Sequence, residues 1–275
     1  MVSRSDSLEK LGSLGEDESI FSNPDSLEPD FVPPLLPFRE GEMKEIASTL
    51  KPLCAGGSGR NIFITGKAGI GKTHAVKKVL RDLREETKNI LVFYINCWTH
   101  STSREVFEEI LSQMRLPKSS EMTPTGMLGK ILLRSGERPV VLCFDEIDKA
   151  KEHGFLYSAL EEFKKKVLIL ISNNEDFLAG LDERIRSRLL AREIIFRPYS
   201  REEMAGIIRE RRKYAFYEDT WSKAAIEAVE ERAFEAGDVR FALHALRLAG
   251  LKAESMASRT VMKEHAEEAL AELEK

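Results

Sequence analysis

The chain has 275 residues, 42% hydrophobic and 32% charged, with a formal net charge of −4. That is enough for one large domain, or for a medium domain with a small companion. No apolar run approaches the roughly 18 or more residues of a membrane span, and the start lacks a signal-peptide core, so no membrane contact is expected.

The three cysteines, Cys54, Cys97 and Cys143, are odd in number and show neither metal nor disulfide spacing. A reducing, cytoplasmic setting is expected. The five histidines show no ligand spacing either. Charge is uneven. Residues 1–30 carry eight acids against Arg4 and Lys10, a net of −6, whereas residues 31–261 come to +5. The acidic total therefore leaves a nucleic-acid partner open.

Residues 1–25 are rich in Ser, Asp and Glu and read as an acidic flexible tail. Four prolines between Pro29 and Glu40 exclude a regular helix and predict an extended arm laying apolar groups on the domain. Met43, Ile46, Ala47 and Leu50 have helical spacing over 42–53. Asn61 to Thr65 reads as a strand. It runs into Gly66-Lys-Ala-Gly-Ile-Gly-Lys-Thr73 and then a helix over about 72–86. This is the Gly-x-x-x-x-Gly-Lys-Thr pattern of a phosphate-cradling loop. Gly66, Gly69 and Gly71 allow positive φ and close approach of backbone N–H groups, Ile70 among them, to an anion. Lys72 is expected on the β- and γ-phosphates of ATP, and Thr73 on Mg²⁺.

Further strands are expected at 90–95, 139–145, 167–171 and 193–196. Helices lie between them at 102–114, 127–135, 154–166 and 181–189. Continuous apolar strands alternating with helices predict an α/β fold with a five-stranded parallel sheet covered on both faces. From Ser200 onward only helices are expected, at about 200–216, 220–235, 238–254 and 260–274. The division is 1–25 tail, 26–199 nucleotide-binding domain and 200–275 small helical domain.

Asp145 and Glu146 end the third strand. The first is expected to hold Mg²⁺ through water, the second to act as general base. Asn173 follows the fourth strand and reads either as a polar terminator or as a group that orients water. Arg184, Arg186 and Arg188 read as a solvated basic face or as the source of an arginine finger. Arg240 reads as a surface residue or as a lid contact to the γ-phosphate. Lys164–Lys166 and Arg209–Lys213 read first as solvated helix faces and second as DNA phosphate contacts.

Taken together these motifs resemble the AAA+ ATPases of the origin-recognition and replication-licensing family, archaeal members above all. The order is the phosphate loop, Asp145-Glu-Ile-Asp148, Ile171-Ser-Asn-Asn174, Leu181-Asp-Glu-Arg-Ile-Arg-Ser187, Glu193 to Tyr199 and Gly237-Asp-Val-Arg240. The resemblance runs over about residues 20–270. It implies an αβα domain followed by a helical lid, with ATP held between them. It makes Asn173 sensor 1 and Arg240 sensor 2, adds Tyr199 and Arg211 as nucleotide contacts, and implies that residues 98–126 touch DNA. Gly66-Lys-Ala-Gly69 replaces a commoner proline-bearing loop without loss of a functional group. Relatives continue into a winged-helix domain that this sequence does not contain, so duplex DNA binding is expected to be weakened. The expected function is an ATP-hydrolysing switch in DNA replication, with slow turnover and AAA+ neighbours or replication proteins as partners. The alternative is a regulatory ATPase with a protein partner and no direct DNA recognition.

Overall fold

The structure is a computed structural model and describes residues 19–274. Most of the expected acidic tail, residues 1–18, lies outside the described residues. The chain forms two compact units. One is residues 39–197; the other joins residues up to Phe38 with those from Pro198 onward.

The first unit is built on β1 (Ile62–Thr65), β2 (Leu91–Asn96), β3 (Val140–Asp145), β4 (Lys166–Ile171) and β5 (Arg192–Ile195). All neighbours are parallel, in the order β2-β3-β4-β1-β5. β1 to β4 are near-continuous Ile, Val, Leu and Phe because both faces are covered, whereas in the edge strand β5 only Ile194 is buried. Every residue of β1 and β3 is buried. The helices are α1 (Glu40–Cys54), α2 (Lys72–Glu86), α3 (Ser103–Gln113), α4 (Pro124–Ser135), α5 (Gly154–Glu162) and α6 (Glu183–Leu189). Phe63, Phe93, Leu142, Phe144 and Leu170 of one sheet face share a core with Phe107, Ile110, Met127, Phe155 and Ile185 of α3 to α6. On the other face α2 sets Lys77 over the Tyr94 ring, 4.9 Å from its centroid.

Two boundaries differ from expectation for identifiable reasons. α5 stops at Glu162 instead of running to Lys166. Lys166 opens β4, and its ammonium donates to the carbonyls of Leu160 and Phe163, closing the helix end. α4 begins three residues early, at Pro124, because Thr123 caps it and proline suits the first helical position.

The second unit holds α7 (Arg201–Ala215), α8 (Lys223–Ala236), α9 (Val239–Ser255) and α10 (Lys263–Leu273). Ser200 and Glu203 form the expected capping box. Buried alanines at 242, 245, 249 and 253 on α9, with 266 and 269 on α10, let these helices approach closely. The N-terminal segment belongs to this unit, and residues 19–25 are seated, not loose. The Ser22 N–H donates to Ala215 O at 2.9 Å and the Ile20 N–H to Glu254 Oε1 at 3.0 Å. Phe21 stacks on Phe216 at 4.6 Å and lies against Gly250, where any Cβ would come within 2.4 Å of its ring. The arm was expected on the nucleotide domain. Its Phe31 carbonyl instead accepts from Arg211 of α7, as does that of Ser26 just before it.

Candidate nucleotide site

The loop joining β1 to α2 is shaped by three glycines with positive φ: Gly66 (+142°), Gly69 (+73°) and Gly71 (+89°). At Gly66 a Cβ would stand 2.5 Å from Phe196 O and 2.7 Å from Ile70 Cδ1, so only glycine fits. Gly71 is the N-cap of α2. It provides no side-chain cap, and the first turn carries no acid. The helix start therefore keeps its positive end without a carboxylate of its own, as an anion site requires.

Lys72 is 6% exposed and belongs to this loop. Its ammonium donates to Gly66 O at 2.6 Å, Lys67 O at 2.6 Å and Asn173 Oδ1 at 2.7 Å. A buried ammonium with three oxygen partners is satisfied. Asn173 can reach it because β4 lies directly beside β1. The Ser172 N–H donates to Ile64 O at 2.9 Å, which fixes the end of β4 against the loop strand.

Asp145, at the end of β3, is 2% exposed. Its Oδ2 accepts from Thr73 Oγ1 at 2.7 Å and from Tyr94 OH at 2.5 Å, and its Oδ1 accepts from the Glu146 N–H at 2.9 Å. Glu146 takes the left-handed region, φ +52° and ψ +43°. Such a conformation costs a non-glycine residue about 1 kcal/mol or more, and it is found where a turn must aim a side chain. Asp148, two residues on, accepts from Ser172 Oγ at 2.9 Å and the Asn173 N–H at 3.3 Å. The ends of β3 and β4 are thus tied together beneath Glu146 and Asn173.

Burial first, and then the neighbouring Asp145, raise the Tyr94 hydroxyl far above its ordinary range, so it is neutral and donates. Burial also pushes the Cys97 thiol up to about 12, with Asp145 and Asp148 adding to it, and raises Cys143 well above the usual thiol range. Both are inert thiols packed beside the site.

Among the described residues no group of three or more His, Cys, Asp or Glu could hold a metal by itself. One hydroxyl and one carboxylate, Thr73 and Asp145, are what remains. That pair fits Mg²⁺, which keeps several waters and is held by one or two protein oxygens together with substrate phosphate.

Sequence reasoning passed over three residues here. Tyr94 lies two positions before the end of β2, where strand alternation puts it on the face of Asp145; that was its only signal. Asp148 was visible as the second aspartate of Asp-Glu-Ile-Asp but had no assigned role. Arg39 had no signal. It is 3% exposed and donates to Ile70 O at 3.2 Å and Arg197 O at 2.7 Å, with its guanidinium 5.2 Å from the Phe196 ring centre. It braces the phosphate loop from behind.

The arginines of α6 point to other partners. Arg184 pairs with Asp182 at 3.1 Å, while Arg188 pairs with Glu161 and covers the Tyr157 ring at 5.4 Å. His153, Tyr157, Asp182 and Arg184 line a separate cleft of about 370 Å³ that contains none of the phosphate-loop residues. In the helical unit Tyr199 is buried just before α7. Arg211 is buried, donates to Ser26 O at 2.9 Å and Phe31 O at 3.3 Å, and lies 5.4 Å from the Phe31 ring centre. Burial lowers its guanidinium to about 10. Arg240 is held by Asp238 at 2.6 Å, and the same carboxylate caps the start of α9.

Residues 35–156 match the family described as AAA ATPase domain, and residues 205–271 match the Cdc6 AAA+ ATPase-type lid domain. The ORC1-type DNA replication protein 2 of Methanothermobacter thermautotrophicus is 30% identical, over 94% of this chain and 71% of that protein. The ORC1-type DNA replication protein 1 of Sulfurisphaera tokodaii is 35% identical, over 97% of this chain and 70% of that protein. The Aeropyrum pernix ORC1 protein, solved in complex with DNA, superposes with a TM-score of 0.84 at 28% identity. That match covers 93% of this chain and 70% of that one.

Proposed function

This chain belongs to the family of ORC1-type DNA replication proteins, and on that premise we propose that it is a slowly turning, ATP-driven switch of the replication-initiator type. One observation carries the reading. The ends of three strands distant in sequence, β1, β3 and β4, bring polar groups together, with Thr73 Oγ1 2.7 Å from Asp145 Oδ2 and Lys72 Nζ 2.7 Å from Asn173 Oδ1. β5 supplies the wall behind Gly66 through Phe196.

ATP is the substrate. The backbone of Gly66, Gly69, Ile70 and Gly71 receives its phosphates, and Lys72 exchanges its Asn173 partner for a phosphate oxygen. Thr73 and Asp145 would hold Mg²⁺, which neutralises charge on the β- and γ-phosphate oxygens. Glu146 is the general base for the attacking water, and Asn173 orients that water. In the helical unit, Tyr199, Arg211 and Arg240 are the residues expected to respond to nucleotide, Arg211 by way of the arm that it holds. Duplex DNA and AAA+ or other replication proteins are the partners, with Arg184 or Arg188 serving a neighbouring subunit as the finger.

The test is duplex-DNA binding by fluorescence anisotropy, with and without ATP, over a salt series. A switch requires that ATP change the affinity and that Lys72→Ala abolish the change. DNA binding indifferent to both sinks the switch. Loss of any salt-dependent DNA affinity, together with ATP-dependent self-association, favours a regulatory ATPase with a protein partner.

A further inference from the structure

Tyr94 stands at the crossing of three elements. β2 is an edge strand of the sheet, so its outer backbone groups lack a strand partner. At Tyr94 that gap is closed by a side chain. Gln113 of α3 accepts from the Tyr94 N–H at 3.3 Å and donates to Tyr94 O at 2.7 Å, imitating a neighbouring strand with its amide. The Gln113 amide is itself held by Glu109 at 2.9 Å.

The Tyr94 side chain faces the other way, towards α2. β2 and β3 pair Tyr94 with Cys143, and Asp145 lies two residues further along β3 on the same face. The Tyr94 hydroxyl reaches Asp145 Oδ2 at 2.5 Å. The ring lies under Lys77, which is four residues after Thr73 and therefore on the same face of α2. A single oxygen, Oδ2, is shared by the Thr73 and Tyr94 hydroxyls. Thr73, as a residue that would hold Mg²⁺, would exchange this partner for it, whereas Tyr94 would keep its bond.

We propose that Tyr94 is a positioning residue for the Mg²⁺-dependent step, holding the Asp145 carboxylate in one orientation, with Gln113 of α3 locking the Tyr94 backbone. The proposal rests on the nucleotide-site reading above. Hydrogen-bonded partners just outside a metal's ligands set ligand orientation, and their removal weakens metal affinity by about 10-fold or more.

The experiment titrates Mg²⁺ against a fluorescent ADP analogue bound to wild type, Tyr94→Phe and Tyr94→Leu, following affinity as well as turnover. Tyr94→Phe keeps the ring under Lys77 and removes only the hydroxyl. Its nucleotide affinity in EDTA should equal that of wild type. Its half-saturating Mg²⁺ should rise about 10-fold. Tyr94→Leu should match Tyr94→Phe in Mg²⁺ response. Equal Mg²⁺ titrations for wild type and Tyr94→Phe overturn the role of Tyr94 alone. A wild-type protein that binds no nucleotide removes the site reading as well. If Tyr94→Phe does not fold, the same titration on Gln113→Ala decides: a shift of at least about threefold in the same direction supports the proposal, and no shift overturns it.

Discussion

Lys72 Nζ and Asn173 Oδ1, 101 residues apart in sequence, meet at 2.7 Å at the ends of neighbouring strands. The group proposed for the phosphate and the group proposed for the water hold each other. On the proposed reading, bound nucleotide takes the ammonium from the amide, which leaves the amide free to turn towards water. Asn173→Ala leaves Lys72 the two loop carbonyls. Nucleotide affinity should stay within about threefold of wild type while turnover falls by up to about 100-fold, since misplacing a water by an ångström costs that much. Isothermal titration and phosphate-release assays separate the two effects. A parallel fall in affinity would make Asn173 a binding group instead.

Glu146→Gln keeps the size and the left-handed turn but loses the base. ATP should remain bound with unchanged affinity, and turnover should drop by about 10²- to 10⁴-fold. Unchanged turnover would remove Glu146 from the role of base.

Arg39→Ala withdraws the donor from the Ile70 and Arg197 carbonyls and opens a space against Phe196. The cost should be about 2–4 kcal/mol. Thermal melts should show a fall of roughly 5–10 °C. Nucleotide affinity should fall too, because Ile70 lies in the phosphate loop. A variant as stable as wild type would show that the brace is dispensable.

Arg240→Ala tests the helical unit. Asp238 keeps its cap on the Arg240 N–H, so stability should change by no more than about 0.5 kcal/mol. Turnover should fall by roughly 10-fold or more if the guanidinium acts on developing charge. Equal turnover in wild type and variant would remove Arg240 from any role in the reaction.

Cysteine chemistry carries the pH prediction. Burial raises Cys97 from an ordinary value of 9.0 to about 12 in the folded protein. A raised value contributes stability that is fully present below the unfolded value and lost as pH climbs through the folded one. Stability should therefore decline between about pH 9 and pH 12. Cys97→Ala should flatten that limb of a urea-melt series. At pH 8, iodoacetamide should label the exposed Cys54 and spare Cys97 and Cys143 until the protein unfolds, as read by mass spectrometry. Labelling of all three in the native protein would contradict their burial.

Where residues speak to their near neighbours along the chain, the sequence was legible. The phosphate loop, the Ser200–Glu203 capping box and the strands themselves are set by spacings of a few residues. Asp145, Glu146 and Asn173 stood out as candidates because each stands at or just after the end of an apolar strand, and a polar group at that point faces the crevice beyond the sheet. The arm was misplaced because proline content says only that it is extended. Its Phe31 docks on Arg211 of α7, a residue far along the chain.

The sequence by itself determined which residue types stand at which short spacings, the glycine-rich loop with Lys72 and Thr73 and the acids Asp145 and Glu146 among them. Only the tertiary structure decided who holds them. Strand order put β4 beside β1 and β2 beside β3, so Lys72 found Asn173 and Asp145 found Tyr94. No local pattern encodes such pairings. They arise when a twisted sheet must bury both faces at once, and residues 101 and 51 positions apart become neighbours through the strands that carry them.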